Sequence, residues 1–471
     1  MNQVSKSNRS RPLLQSLIQL LHLDTMPEAA RRFLAFLFLN VLSWQCLIGT
    51  VMVLHARAIG IGAGAVGLLF SLLYFAGVLG VVTKPLAERF GSKRVLMTGW
   101  TARNLLVLPI VFTPVVFRYW GKGAAAALLF TTLSLFCITR ALAGIAWSSW
   151  LHEIVPPLKL GRFYTYETVM TRLLTVVFGV IAFFVLGHNP PLWRFAVIAA
   201  FGVAFGLVSL QLLRRVPGGE PVTDSKHKPV RGGYLLVFRD RMFMGFLLCS
   251  TLFGIIYTGL SLLVTLTLRD QLGIGAGTIL LLTSCGNVLA MFTTPRWQRI
   301  ADRHGSPMVM AANGVLIVFS LLVLGWLRED RAPMALVALA CALIPIAESG
   351  NYMATSRGYM LRMKPRIRHA YNAVWSALNQ VFYGISAVFI GIWLQEGSPA
   401  RFRSAAWGYA LLMVIAIWLA LRLPVPRLDS SRGPSPVYNP AQPLRSLGRM
   451  LRYVLRPARS LTRLPPDLDQ L

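Results

Sequence analysis

The chain has 471 residues, of which 55% are hydrophobic and only 14% charged, with a mean hydropathy of +0.59. Apolar stretches of about twenty residues recur along it, each long enough to cross hydrocarbon as a helix and too long and unalternating for barrel strands. The net charge of +30 would suit nucleic acid, but no folded module stands outside the apolar runs to display it. These features define an all-α polytopic membrane protein.

In chain order, residues 1–32 read as a cytosolic segment in which Pro12–Leu23 is predicted to lie flat as an interfacial helix. No cleavable signal peptide is expected, because residues 1–11 are polar and the first apolar run is of span length. Six spans are predicted near 33–55, 64–86, 95–117, 124–149, 163–186 and 192–213. Six more are predicted near 243–268, 278–295, 307–327, 333–355, 370–394 and 405–422. The domains are therefore an N-terminal bundle, 33–213, and a C-terminal bundle, 242–422. Between them 214–241, rich in Pro, Gly, Lys and Arg, reads as a mobile inner linker. The tail, 423–471, is basic. Its Arg445, Arg449, Arg452, Arg456, Arg459 and Arg463 share one helical face, interrupted at Pro457, which is suited to anionic lipid.

With both termini placed in the cytoplasm, roughly three quarters of the Lys and Arg residues fall on the inner side. The expected location is the plasma or inner membrane. Cys46, Cys137, Cys249, Cys285 and Cys341 are dispersed through the spans, which excludes a disulfide frame and a cysteine metal cluster. No cofactor or metal is expected, and the chain is expected to be a monomer.

The sequence repeats itself. Gly-Ile-Gly-Ala-Gly stands at 60–64 and again at 273–277, and an apolar-Ala-acid-Arg-x-Gly element follows each copy. The first element contains Glu88, Arg89, Gly91, Lys93 and Arg94; the second contains Asp302, Arg303 and Gly305. Two markers with almost one offset imply an internal duplication, and parallel repeats recur in secondary transporters, with the substrate site where the repeats meet. Arg89, Lys93 and Arg94 sit where inward-facing cations belong. Glu88 is placed to accept from unpaired amides at a helix start near Ala370, as a gate latch worth ~0.3–2 kcal/mol.

At these residues the chain resembles the major facilitator superfamily over about 33–422. Members carry Gly-x-Leu-Ala-Asp-Arg-x-Gly-Arg-Arg after the second span, usually echoed after the eighth. Here the leading glycines are replaced by Lys84 and Gln298, and Ser92 replaces the first trailing Arg. The loss of those glycines predicts looser packing of the second and eighth spans against the eleventh and fifth. Arg140-Ala-Leu-Ala-Gly144 looks like the family's Arg-x-x-x-Gly element, found in proton-coupled members. The resemblance implies two six-helix bundles and solute transport, without fixing the substrate.

Ionisable residues within spans are costly and are functional candidates by default. Arg140 lies mid-span in the fourth helix, Arg172 in the fifth and Glu348 in the tenth. Pseudo-symmetry brings Glu348 to about the depth of Arg140, so a carboxylate shared between a proton and a buried Arg is one expectation. A static ion pair is another, and an anion clamp of Arg140 and Arg172 a third. Arg103, nearer the inner end of its span, is expected to snorkel. Asn372, Ser376, Asn379, Gln380 and Tyr383 form one face of the eleventh span, and Glu348, Asn351, Tyr352 and Thr355 one face of the tenth. Both faces are predicted to line a cavity. Asn40, Gln45, Tyr257 and Asn287 stand without such support and read as interhelical contacts.

Glu153 is expected to pair with Arg162. His152-Glu153 fails the zinc-protease pattern because Pro156 replaces the second His, and Gly62-x-Gly64-x-x-Gly67 has no strand before it. No catalytic constellation is present. The expected function is proton-coupled movement of a small organic solute, with protons and anionic lipid as partners and no nucleic acid. The alternatives are an organic-anion exchanger and a non-transporting receptor or assembly protein on the same frame.

Overall fold

The computed structural model describes residues 26–79, 86, 89–220, 233–328, 333–364 and 367–425. The interfacial helix expected at Pro12–Leu23 and the Arg face of the tail lie outside them. Among the described residues the chain forms long helices and no strand. It divides into two compact units, Met1–Gly62 with Leu68–Lys228, and Ala63–Gly67 with Pro229–Leu471.

The first unit begins with α1 (Glu28–Leu47) and α2 (Thr50–Ile59). These are the two parts of the expected first span, broken at Gly49, whose φ of 73° is open only to glycine at little cost. Next come α3 (Ala63–Val78) and α4 (Ser92–Val107). A 3₁₀ turn over Leu108–Phe112 follows, where Pro109 has no amide for an α-helical bond. The run α5 (Thr113–Ile154) reverses direction at Gly121 (φ 77°, ψ −175°), so it holds the end of the third pass and all of the fourth. Tyr119 and Trp120 stand exposed at that turn, as aromatics do at a membrane interface. The unit closes with α6 (Pro157–Leu186) and α7 (Leu192–Arg214), with α1 packed along α7 and α4 along α5. At one end Phe33 meets Trp147 and Trp150 edge-to-face and Phe163 at a tilt, with Phe33 and Trp147 centroids 4.9 Å apart.

The second unit contains α8 (Gly233–Arg239), α9 (Arg241–Leu266), α10 (Ala276–His304), α11 (Ser306–Trp326), α12 (Met334–Arg362), α13 (Arg368–Trp393) and α14 (Pro399–Arg422). Helix α11 packs between α12 and α14, α10 lies along α12, and α9 lies along α13. Residues Ala63–Gly67 belong to this unit, where a methyl added to Gly67 would meet Gly391 Cα at 2.7 Å. The looser packing expected at Lys84 falls on a position outside the described residues.

Among the described residues ten helical stretches are long and apolar enough to cross a membrane. One of them, Ser92–Gly144, contains the Gly121 reversal, and the shorter apolar α3 adds another, which gives twelve passes. Large side chains such as Phe184, Leu411 and Ile392 face outward. In hydrocarbon that outward apolar surface is the stable one, and backbone bonds are satisfied within each helix.

Asp240 caps α9 by accepting from the Phe243 amide at 3.2 Å. Its other oxygen takes the Tyr371 hydroxyl at 2.7 Å and Lys364 Nζ at 3.0 Å. Burial alone would raise this carboxyl, but these hydrogen bonds outweigh it and hold it below its ordinary value. A depressed folded-state value gives stability that is complete above the unfolded carboxyl range of about 4 and is lost as pH falls through the folded value. Asp240→Asn is therefore expected to cost about 0.5–2 kcal/mol at neutral pH and to flatten the acid limb of a thermal-unfolding pH profile. An unchanged acid limb would count against this assignment.

Candidate functional site

Polar groups gather in three places, two inside the bundles and one at a helix-end face. In the first unit α1 supplies Asn40 and Trp44, α4 supplies Trp100 and Arg103, and α5 supplies Phe136 and Arg140. Arg103 is 1% exposed, so the expectation that it snorkels is corrected. It donates from Nη2 to Asn40 Oδ1 at 2.9 Å and to Asn104 Oδ1 at 3.2 Å. Its guanidinium lies 4.8 Å from the Trp100 ring and 4.9 Å from Phe136. The Trp100 indole also donates to Asn40 Oδ1, at 2.9 Å, so Asn40 is committed to holding α1 against α4.

Arg140 lies 4.7 Å over the Trp44 ring, within electrostatic range of Arg103, Tyr74 and Cys137. Face-on contact with an indole partly replaces the lost hydration of a guanidinium. One step along α1, Gln45 donates to Thr175 on α6 at 2.7 Å, and Arg172, half-buried, lies one turn before Thr175. Sequence reasoning passed over Glu167, a half-buried acid on α6 that interacts electrostatically with Tyr164. An acid just inside an apolar run was the signal for it.

In the second unit Glu348 is exposed on α12 and acts electrostatically on Tyr257 of α9. Tyr257 Oη, Asn351 Oδ1 and Gln380 Oε1 are buried with no hydrogen-bond partner among the described residues. Tyr383 of α13 packs against Gly254, one turn from Tyr257. The eleventh-span face divides: Asn379 is spent inside the bundle, accepting from Thr251 at 3.0 Å and donating to the Trp375 carbonyl at 2.8 Å, whereas Gln380 beside it is not. Ser376 is half-buried and Tyr352 half-exposed.

The loop elements form the third place. Gly91 and Gly305 precede α4 and α11 with the same φ of 85°, so both copies of the repeat begin a helix from a conformation that requires glycine. Arg89 and Arg94 are exposed. Lys93 is not a free surface cation: its Nζ donates to the Val216 carbonyl at 2.6 Å and its amide to the Gly219 carbonyl at 2.9 Å. The Trp150 indole donates to Pro217 O at 3.1 Å, and Arg32 to Arg215 O at 2.9 Å. Glu153 accepts the Gly219 amide at 3.0 and 3.1 Å.

The first residues of the linker, Arg215–Gly219, are clasped across the ends of α1, α4 and α5. Gly218 (φ 80°) and Gly219 (φ 77°) make the turn, and a methyl on Gly219 would meet Lys93 Cβ at 2.7 Å. Gly219→Ala is expected to cost about 1–2 kcal/mol from backbone handedness alone and to lower the thermal midpoint. Gly123→Ala, with open space around it, should not. Equal midpoints for the two variants would contradict the clasp. Glu88, with the latch contact assigned to it, and the side chains of Asp302, Arg303 and Arg162 lie outside the described residues.

The model of the Major Facilitator Superfamily matches residues 33–354 and 258–460, and the chain belongs to that family. Among solved structures, a point mutant of the nucleoside transporter NupG has a TM-score of 0.65 at 12% identity, covering 84% of this chain and 100% of that one. The xylose transporter XylE from E. coli has a TM-score of 0.63 at 13% identity, covering 86% and 99%. A point mutant of the peptide transporter POT has a TM-score of 0.63 at 15% identity, covering 84% and 95%. These likenesses show the fold. No curated protein matched the sequence.

Proposed function

We propose that the chain is a secondary active transporter that moves a small organic solute by alternating access, driven by a proton gradient. The observation that carries this reading is that Tyr257 Oη, which feels the Glu348 charge, Asn351 Oδ1, one turn along the helix from Glu348, and Gln380 Oε1 are buried without a hydrogen-bond partner among the described residues. A buried polar atom left without a partner costs about 1–3 kcal/mol, so a solute that supplies hydrogen bonds regains that energy on binding. Glu348 is the coupling group, since an ionisable side chain within a span is a functional candidate by default. Nucleoside, xylose and peptide transporters share the fold, and their names alone select no substrate at these identities. The Lys and Arg bias favours a plasma or inner membrane location with the linker and tail inside. The test is a thermal-stability screen of the purified full-length protein against nucleosides, sugars, dipeptides and organic acids. A binder at a hundredfold over its Kd stabilises the fold by about 2.7 kcal/mol. If no class stabilises it, the transporter reading fails and a non-transporting role takes its place.

A further inference from the structure

We propose that Arg140 is the contact for an oxyanion, carboxylate or phosphate, on the transported solute, with Trp44 as its platform and Arg103 as a buried positioning residue. This deepens the transporter reading and rests on it. The Arg140 guanidinium acts electrostatically on Arg103, both pack on aromatic rings of one bundle, and among the described residues neither is met by a carboxylate. Like charges held together at membrane depth favour a counter-anion, and among the described residues the ordinary structural solution, an acid on a neighbouring helix, is not used.

The two cations are not equivalent. Arg103 is 1% exposed, and one of its nitrogens, Nη2, is committed to Asn40 and Asn104; it cannot reach a solute but adds positive potential at Arg140. Arg140 is half-buried, with one face on Trp44, and the other groups that act on it, Tyr74 and Cys137, are not carboxylates. Among the described residues its N–H donors have no acceptor. Structural arginines of this chain look different. Arg362 donates to Gly358 O at 2.9 Å and Pro424 O at 3.0 Å, and Arg194 donates to Val185 O at 3.1 Å and Leu186 O at 3.2 Å. A planar fork stacked on an indole with its edge unspent is the geometry that grips an oxyanion bidentately.

The test uses full-length protein and matched probes: benzoate against benzamide, succinate against succinamide, and inorganic phosphate, read as thermal-midpoint shifts. At least one anion should stabilise the wild type, and an amide counterpart should not. Arg140→Gln should raise the half-stabilising anion concentration at least tenfold, and Arg140→Lys, which keeps charge without the fork, by less. If Arg140→Gln fails to fold, the wild-type acid–amide comparison and Arg140→Lys decide. Equal stabilisation by acid and amide, or an unchanged response in either Arg140 variant, overturns the proposal. Stabilisation by a nucleoside, sugar or dipeptide but by no anion overturns the anion contact and leaves the transporter reading standing. A shift with none of these compounds removes both.

Discussion

Glu348→Gln is expected to abolish proton-driven accumulation of the solute while leaving solute exchange intact. Glutamine keeps the shape and hydrogen-bonding capacity of the protonated acid but cannot release a proton. The step that couples proton entry to solute entry then has no carrier. Exchange needs only binding and reorientation, and a permanently neutral side chain in a span opposes neither. The partner groups support the assignment: Tyr257 carries the hydroxyl that feels the Glu348 charge, and Asn351 lies one turn along the same helix face. The measurement compares pH-gradient uptake with counterflow in proteoliposomes, using a compound that the thermal screen identifies. Driven uptake should fall to the level of protein-free liposomes, with counterflow within about threefold of wild type. Preserved driven uptake would remove Glu348 as the coupling group.

Gly286→Leu is expected to be the most damaging substitution to the second bundle. A Cβ there would lie 2.7 Å from Ala342 Cα, 2.8 Å from Ala342 O and 3.0 Å from Cys341 O. All three are backbone atoms of α12, so no side-chain rotation relieves the contact. Helices in hydrocarbon associate through close backbone approach at small residues, without water to drive them together. Forcing extra methylenes into such a seam costs about 1–3 kcal/mol or more, a large part of the marginal stability of a domain. Because α12 also carries Glu348 and Asn351, solute stabilisation should fall with it. Gly245→Ala is the control, since its added Cβ meets Leu423 Cδ2 at an ordinary 3.6 Å. A midpoint for Gly286→Leu no lower than for that control would show that the seam tolerates separation.

Much of the architecture was legible because hydrocarbon imposes local rules. A span must be apolar over its own length, so the passes could be counted from composition, and the repeated Gly-Ile-Gly-Ala-Gly and acid-Arg-x-Gly elements marked the duplication. Gly91 and Gly305 illustrate how far such reading goes: the matched positions have the same positive φ. Broken segments were less legible. The Gly49 break and the Gly121 reversal depend on backbone angles, and hydropathy averages over them.

The candidate sites were legible only as residue types. Asn379 and Gln380 adjoin on one helix and read alike, yet one is locked to Thr251 and the other keeps a buried oxygen without a partner. Successive helical residues point about 100° apart, and which direction meets a neighbour is set by the rotation of each packed helix. Arg103 and Arg140 were likewise two similar cations until Asn40, Trp100 and Trp44 gave them different surroundings. Lys93 and the Pro217-Gly218-Gly219 turn lie more than a hundred residues apart, so only the folded chain could bring them together. Membrane class, number of passes and duplication were determined by the sequence alone, since each follows from apolar length and spacing along the chain. Which polar side chains hold helices together and which keep unspent hydrogen-bonding groups was decided by tertiary packing, since that depends on what stands opposite.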